Sequence, residues 1–163
     1  MLKAYLDSSA MVKRYISEPT SPAVDRVFDE GWAGEVSIAT SIWNIGEVLG
    51  VLDERRRRRW LNEDEFEEAL RSFAGETTRL ARLKILEIFP ASTSILIEAW
   101  PLILSEHIYE ADALQIRTCI HAGSDVLISA DRELINVALR VGLKAVDTEN
   151  EDRLKELLKH TRS

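Results

Sequence analysis

Cysteine is nearly absent from this 163-residue chain: Cys119 stands alone, so no internal disulfide can form, and nothing requires an oxidising compartment. Its setting in DALQIRTCIHAG reads as a small buried thiol on a helix. Histidine is scarce too. His107, His121 and His160 lack the spacing of metal ligands and read as surface or loosely packed side chains. Long hydrophobic runs are missing; the most apolar stretch, SILIEAWPLIL, is broken by Glu98 and Pro101 and is too short to span a bilayer. The opening MLKAYLDSSA has neither a basic n-region nor a long apolar h-region, so no signal peptide is expected. The chain therefore reads as a cytoplasmic protein with no membrane partner. Positive charge is in deficit: at a net −7 the general field has the wrong sign for holding nucleic acid. Any nucleic-acid substrate must be met by local cations or bound metal. Repeats, linkers and low-complexity tracts are also missing, and 45% apolar residues over this length fit one domain, 1–163, with its own core.

What the sequence does have is a regular alternation of short apolar runs and helix-like segments. Residues 3–6, 36–39, 85–89, 126–129 and 144–146 read as strands. Ser8 or Ser9 is placed to cap a helix AMVKRYI, and a second helix runs to Glu30, closed by Gly31. Thr40 and Ser41 offer a cap for a helix with Ile42, Ile45, Val48, Leu49 and Leu52 turned inward. The charged stretch 53–82 extends that helix and adds one or two more, with breaks near Asn62 and Gly75. Ser92–Ser94 cap a helix to about Glu106 that Pro101 is expected to kink or end early. Helices ending at Gly123 and Gly142 and a closing amphipathic helix over 149–159 complete the pattern. Strands separated by helices imply parallel pairing, hence an α/β fold: an αβα sandwich with a central parallel sheet of four to five strands. Residues 53–82 interrupt that pattern as a charged helical stretch.

Four acids sit where an apolar run stops and a helix begins: Asp7 in YLDSSA, Glu47 in SIWNIGEVLGVL, Asp112 in YEADALQIRT and Asp131 in VLISADRELINVAL. Taken singly, Asp7 and Asp131 also fit ordinary helix caps. Asp112 is flanked by core-type residues, and Glu47 interrupts an apolar segment whose glycines, Gly46 and Gly50, allow close approach of neighbouring backbone. Carboxylates at the ends of buried strands are costly unless hydrogen bonded, paired or bound to metal. Strand carboxyl ends are where ligands gather in open α/β sheets. Acids converging there without His or Cys point to a hard cation, Mg²⁺ or Mn²⁺. Lys13 and Arg14, one to two turns after Asp7, are the candidate contacts to a substrate phosphate.

The opening YLDSSAMVKRYISEP, the Glu of SIWNIGEVLGVL, the ADALQI segment and LISADRELINVALRVGLKAV, in that order, resemble the PIN-domain nucleases, most closely the VapC-type toxins of prokaryotic toxin–antitoxin pairs. The resemblance implies a PIN-like fold with Asp7, Glu47, Asp112 and Asp131 as catalytic and metal-binding acids. Asp7 and Asp112 would be direct ligands, and Glu47 and Asp131 would complete the site directly, through water or around a second ion. Ser129, two residues before the last acid, matches a position where the family often has Thr or Ser. Ser9 and Ser129 join Lys13 and Arg14 as candidate substrate contacts. The implied activity is metal-dependent cleavage of single-stranded RNA, leaving 5′-phosphate and 3′-hydroxyl ends. A homodimer and a cognate antitoxin are the implied partners. Arg117, Thr118 and Cys119 depart from the small-residue pattern many relatives carry after the DAL segment, and residues 53–82, which match no fixed part of the pattern, would be the inserted charged helical arm that such proteins carry between the second and third acids.

Other readings leave their own marks. A PIN fold that binds RNA or a partner without cutting has no evident reason to keep four acids. A solitary RNA-processing nuclease would keep them but have no antitoxin. A phosphatase of the haloacid-dehalogenase kind wants a second Asp two residues after the first, and that position is Ser9. The run Arg55–Arg59 turns through more than one full helical circle, so it cannot share one face. With Asp53, Glu54, Glu63 and Asp64 nearby, it reads first as an ion-paired solvated segment and second as a phosphate rail or acidic-partner dock. Trp32, Trp43, Trp60 and Trp100 read as core or dimer-interface residues before base-stacking platforms.

Overall fold

The structure, a computed structural model, describes residues 1–159. His160 therefore lies outside the described residues. Five strands, β1 (Leu2–Leu6), β2 (Val36–Ser41), β3 (Leu86–Phe89), β4 (Val126–Ser129) and β5 (Ala145–Asp147), form one sheet in the order β3-β2-β1-β4-β5. Every pairing is parallel. The crossovers carry α1 (Ser8–Met11) and α2 (Ser21–Trp32), then α3 (Ile42–Arg57) and α4 (Glu63–Arg82), then α5 (Thr93–Glu106) and α6 (Glu110–His121), then α7 (Arg132–Arg140). Helix α8 (Glu151–Lys159) closes the described chain.

Strand alternation sorts the core into two layers. Ala4, Leu6, Val36, Ile38, Val126 and Ile128 face the layer built from α1 to α4 and α8. Tyr5, Ala39 and Leu127 face the layer of α5, α6 and α7. Because both sheet faces are covered, β2 and β4 are buried at every position and β1 from Ala4 onward. β1 and β4 lie side by side, with Tyr5 opposite Leu127 and Leu6 opposite Ile128. The connection leaving β1 runs outward to β2 and the one leaving β4 runs the other way to β5, so the switch point of the sheet falls between these two strands.

Several local expectations are corrected. Asp7, rather than Ser8 or Ser9, caps α1, accepting from the Ala10 amide. Helix α2 continues past Gly31 to Trp32, and Gly34 takes the positive φ that turns the chain. Helix α4 does begin at Asn62, through a capping box with Glu65, but runs unbroken across Gly75. Tertiary packing decides this: Ala69, Phe73, Thr77 and Leu80 recur at helical spacing and are buried on one side. The charged stretch thus lies against the first core as a layer helix and keeps its charges on the outer face. Helix α5 likewise does not end early; it runs through Pro101 to Glu106. Gly46 and Gly50 face open space, with no neighbouring backbone close by. Of the tryptophans, Trp32 is partly buried, whereas Trp43, Trp60 and Trp100 are 50%, 63% and 53% exposed and form no core. Cys119 is buried as expected. Among the described residues, no helix is long and apolar enough to cross a membrane.

Candidate active site

β1 ends at Leu6, and the next residue, Asp7, is 5% exposed. Its carboxylate is held from three sides. Ser9 Oγ donates at 2.8 Å, Ser129 Oγ from the end of β4 donates to Oδ2 at 2.7 Å, and the Ala10 amide donates to Oδ1 at 3.0 Å. Ser9 and Ser129 also meet each other at 3.2 Å, and each accepts a backbone amide from the β4–α7 turn: Ala130 to Ser9 at 2.8 Å, Asp131 to Ser129 at 2.9 Å. This hydroxyl pair joins the ends of β1 and β4 into one cradle. Even so, burial outweighs the donors and pushes the Asp7 carboxyl up to about 6, with the nearby charge of Asp131 adding to the rise.

The other acids close around this point. Asp131 caps α7, its Oδ1 accepting from the Glu133 and Leu134 amides at 2.8 and 3.2 Å. Both readings of its position are therefore compatible, since capping uses one oxygen. Glu47, about a turn and a half into α3, accepts from Ser8 Oγ at 2.7 Å, which ties it to the residue after Asp7. Asp112, in the first turn of α6, is half-buried and its carboxyl is also pushed up to about 6. Burial is the first cause; the charges of Asp131, Glu133 and Glu47 are the others. Asp7, Glu47, Asp112, Asp131, Ser9 and Ser129 are thus one neighbourhood at the carboxyl edge of the sheet. Glu133 belongs to it as well. Sequence reading passed it over because S-A-D-R-E looks like helix-start chemistry; its signal was a second acid two residues after the cap.

Lys13 and Arg14 are engaged elsewhere. Lys13 pairs with Glu18 at 2.8 Å, and Arg14 pairs with Glu76 and Asp25, both at 3.0 Å, away from the acids. Their placement differs from expectation because α1 stops at Met11 and a 3₁₀ turn over Val12–Arg14 redirects them towards α2 and α4. Arg117 and Arg132, near in sequence to the other acids, are likewise held by Glu98 and Glu149. In the arginine run, Arg55 pairs with Glu18, Arg56 and Arg57 with Asp53, and Arg58 with Glu54. The ion-paired reading fits those four.

Among the described residues, no Lys, Arg or His forms an ion pair with Asp7, Glu47, Asp112 or Asp131. Among the described residues, none donates a hydrogen bond to the Asp112 carboxylate either. Unrelieved negative charge with an all-oxygen donor set fits a hard divalent cation. As the side chains stand, no three of the described acids are drawn together tightly enough to ring one ion.

Comparison with known proteins agrees with this fold. A family model described as the PIN domain matches residues 4–140. The chain belongs to the PIN-domain family. PIN proteins are generally nucleases that use divalent metal ions, and the five-stranded parallel sheet between helical layers is the PIN fold. Similar solved structures include PAE2754 from Pyrobaculum aerophilum, with TM-score 0.63 and 19% identity over 95% of this chain and 96% of that one. VapC20 from Mycobacterium tuberculosis, described as a sarcin–ricin-loop-cleaving toxin, aligns with TM-score 0.59 and 16% identity, covering 88% and 98%. FitAcB from Neisseria gonorrhoeae aligns with TM-score 0.60 and 13% identity, covering 90% and 99%. At these identities the likeness is one of fold. Comparison with curated protein sequences returned no match.

Proposed function

We propose that this PIN-domain protein is a metal-dependent endonuclease of single-stranded RNA and the toxin of a toxin–antitoxin pair. The observation that carries the reading is the group of four carboxylates at the sheet's switch point, without a cationic partner among the described residues. Membership of a nuclease family supports the reaction class. Likeness in fold to a toxin that cleaves the sarcin–ricin loop supports the biological setting. Asp7 and Asp112 are the proposed direct ligands of Mg²⁺ or Mn²⁺, with Glu47 and Asp131 completing the site. When bound, the cation supplies an activated water and stabilises the leaving oxygen of the phosphodiester. The chain's own contribution is orientation. Ser9 and Ser129 hold Asp7 in one pose, Ser8 steadies Glu47, and the α7 amides fix one oxygen of Asp131 while its other oxygen stays available.

A homodimer is part of this reading. Ile97, Trp100 and Leu104 recur at helical spacing on α5, as do Ile42 and Leu49 on α3, which were expected to turn inward; these five and Trp43 are exposed in the single chain. A second copy of the chain is the proposed cover for these faces. An antitoxin segment that brings a basic side chain to the acids would complete their charge balance and so inhibit.

The direct test is cleavage of a labelled single-stranded RNA pool by the wild type and Asp7→Asn, in Mg²⁺, in Mn²⁺ and with EDTA. Cutting is expected with metal in the wild type only. Equal cutting by both proteins would remove Asp7 from the mechanism, and wild-type cutting that survives EDTA would remove the metal.

A further inference from the structure

Three polar side chains are buried just beneath the acids, at core positions. Tyr5 precedes Asp7 by two residues on β1, Asn44 precedes Glu47 by three on α3, and Gln115 follows Asp112 by three on α6. Tyr5 and Asn44 are fully buried and Gln115 is 3% exposed. The two amides bond reciprocally: Asn44 Nδ2 donates to Gln115 Oε1 at 2.9 Å, and Gln115 Nε2 donates to Asn44 Oδ1 at 2.7 Å. Tyr5 Oη donates to the same Gln115 Oε1 at 2.5 Å. Asn44 Nδ2 donates further to Thr40 Oγ1 at 2.9 Å, and Thr40 Oγ1 donates to the Leu6 carbonyl at 2.8 Å. The network therefore ends on the residue that precedes Asp7.

Its position explains what it can do. Val48 and Leu52 anchor α3 in one core, whereas Ala113 and Ile116 anchor α6 in the other. The amide pair reaches around the carboxyl edge of the sheet and joins the two layers where neither core holds them together. A reciprocal pair of bonds fixes orientation as well as separation, and burial makes both bonds stiff. Above it, Glu47 and Asp112 carry charges of one sign without a counterion and push their helices apart. Apolar side chains of similar volume would fill the space but would not resist that push directionally.

We propose that Asn44, Gln115 and Tyr5 form a positioning clamp that sets the separation of Glu47 and Asp112 and so prepares the acid group to take up a divalent cation. This rests on the reading of the acids as a metal site. None of the three touches the ion.

The test is Mn²⁺ titration of the full chain, read from the spectrum of the free ion, alongside thermal melting in EDTA. In Asn44→Leu/Gln115→Met both partners are replaced together, which leaves no buried amide unpaired; the Tyr5 hydroxyl loses its bonds to both, so the metal-free melting temperature should fall by a few degrees with the fold kept. Its Mn²⁺ affinity should fall by roughly 10- to 100-fold, the usual effect of losing groups that orient metal ligands. The exchanged pair, Asn44→Gln/Gln115→Asn, keeps reciprocal amides at the same combined side-chain length and should restore most of that affinity. Should the apolar pair fail to fold, the decision passes to Tyr5→Phe, which removes one hydroxyl and should weaken Mn²⁺ binding severalfold with the fold intact. Wild-type affinity in the folded apolar pair, or in Tyr5→Phe, overturns the clamp. So does a folded exchanged pair that binds no better than the apolar pair. A wild type that takes up no Mn²⁺ overturns the metal site itself, and the clamp with it, which separates the two failures.

Discussion

At the residue scale, Asp7 concentrates the conflict between folding and chemistry. Its carboxyl titrates at about 6 in the folded chain against an ordinary 3.8, chiefly because it is buried. Below pH 3.8 both folded and unfolded chains hold the proton, and the residue costs nothing extra. Between 3.8 and about 6 the folded chain keeps a proton that the unfolded chain releases, so stability falls as pH rises. Above about 6 the penalty is complete. Each pKa unit corresponds to about 1.4 kcal/mol, so the penalty has an upper bound near 3 kcal/mol. Asn keeps the helix cap without the charge. Asp7→Asn should therefore be more stable than wild type in EDTA at pH 7.5, with the gap closing by pH 4. Chemical denaturation at the two pH values checks this; a gap that widens in acid would contradict the sign. Ser129→Ala should raise the Asp7 carboxyl further by removing its 2.7 Å donor, a direction that carbon-detected NMR titration would show. Asp7 as an acid before a helix was readable from YLDSSA, but its burial was not, because that depends on Ser129, over a hundred residues away.

At the element scale, the charged stretch between the second and third acids shows how tertiary packing overrides local composition. Asn62 and Glu65 form a reciprocal capping box at 2.8 and 2.9 Å, and this start signal was legible in the sequence. Asn62→Ala should cost about 1 kcal/mol, seen as a lower melting temperature. Phe73→Ala, which empties a buried place in the first core, should cost about 3–5 kcal/mol. By contrast, Arg57→Ala and Arg58→Ala remove exposed pairs within one helix and should each change stability by less than about 0.5 kcal/mol. A solvated arm would show no such contrast, since Phe73 would then be as dispensable as the arginines. The expected break at Gly75 failed for the same reason. One glycine costs a helix roughly 1 kcal/mol, and burial of the residues on either side outweighs that.

At the scale of the whole molecule, two equilibria test the functional reading together. Metal that binds only the folded chain adds about 2.7 kcal/mol at a hundredfold excess over Kd. For a chain of this size that raises the melting temperature by roughly 5–10 °C. Mn²⁺ should produce this rise in the wild type and much less in Asp7→Asn/Asp112→Asn; equal rises would place the ion elsewhere. Dimerisation is the second equilibrium. Trp43→Glu/Trp100→Glu should give a monomer in sedimentation with little change in metal-free stability of the single chain, since both rings are half-exposed. A wild type that sediments as a monomer would leave those apolar faces to another partner.

The sequence by itself determined the alternation of strands and helices, the parallel sheet, and the four acids at strand ends or early in helices, because each of these is written in local spacing and in the cost of burying charge. Tertiary structure alone decided which groups share space. It took Lys13 and Arg14 away to Glu18 and Glu76, and it brought Glu133 to the acids. It also turned Asn44 and Gln115, two unremarkable amides 71 residues apart, into one buried pair. Such pairings depend on strand order and on the hand of each crossover, and no local pattern encodes them.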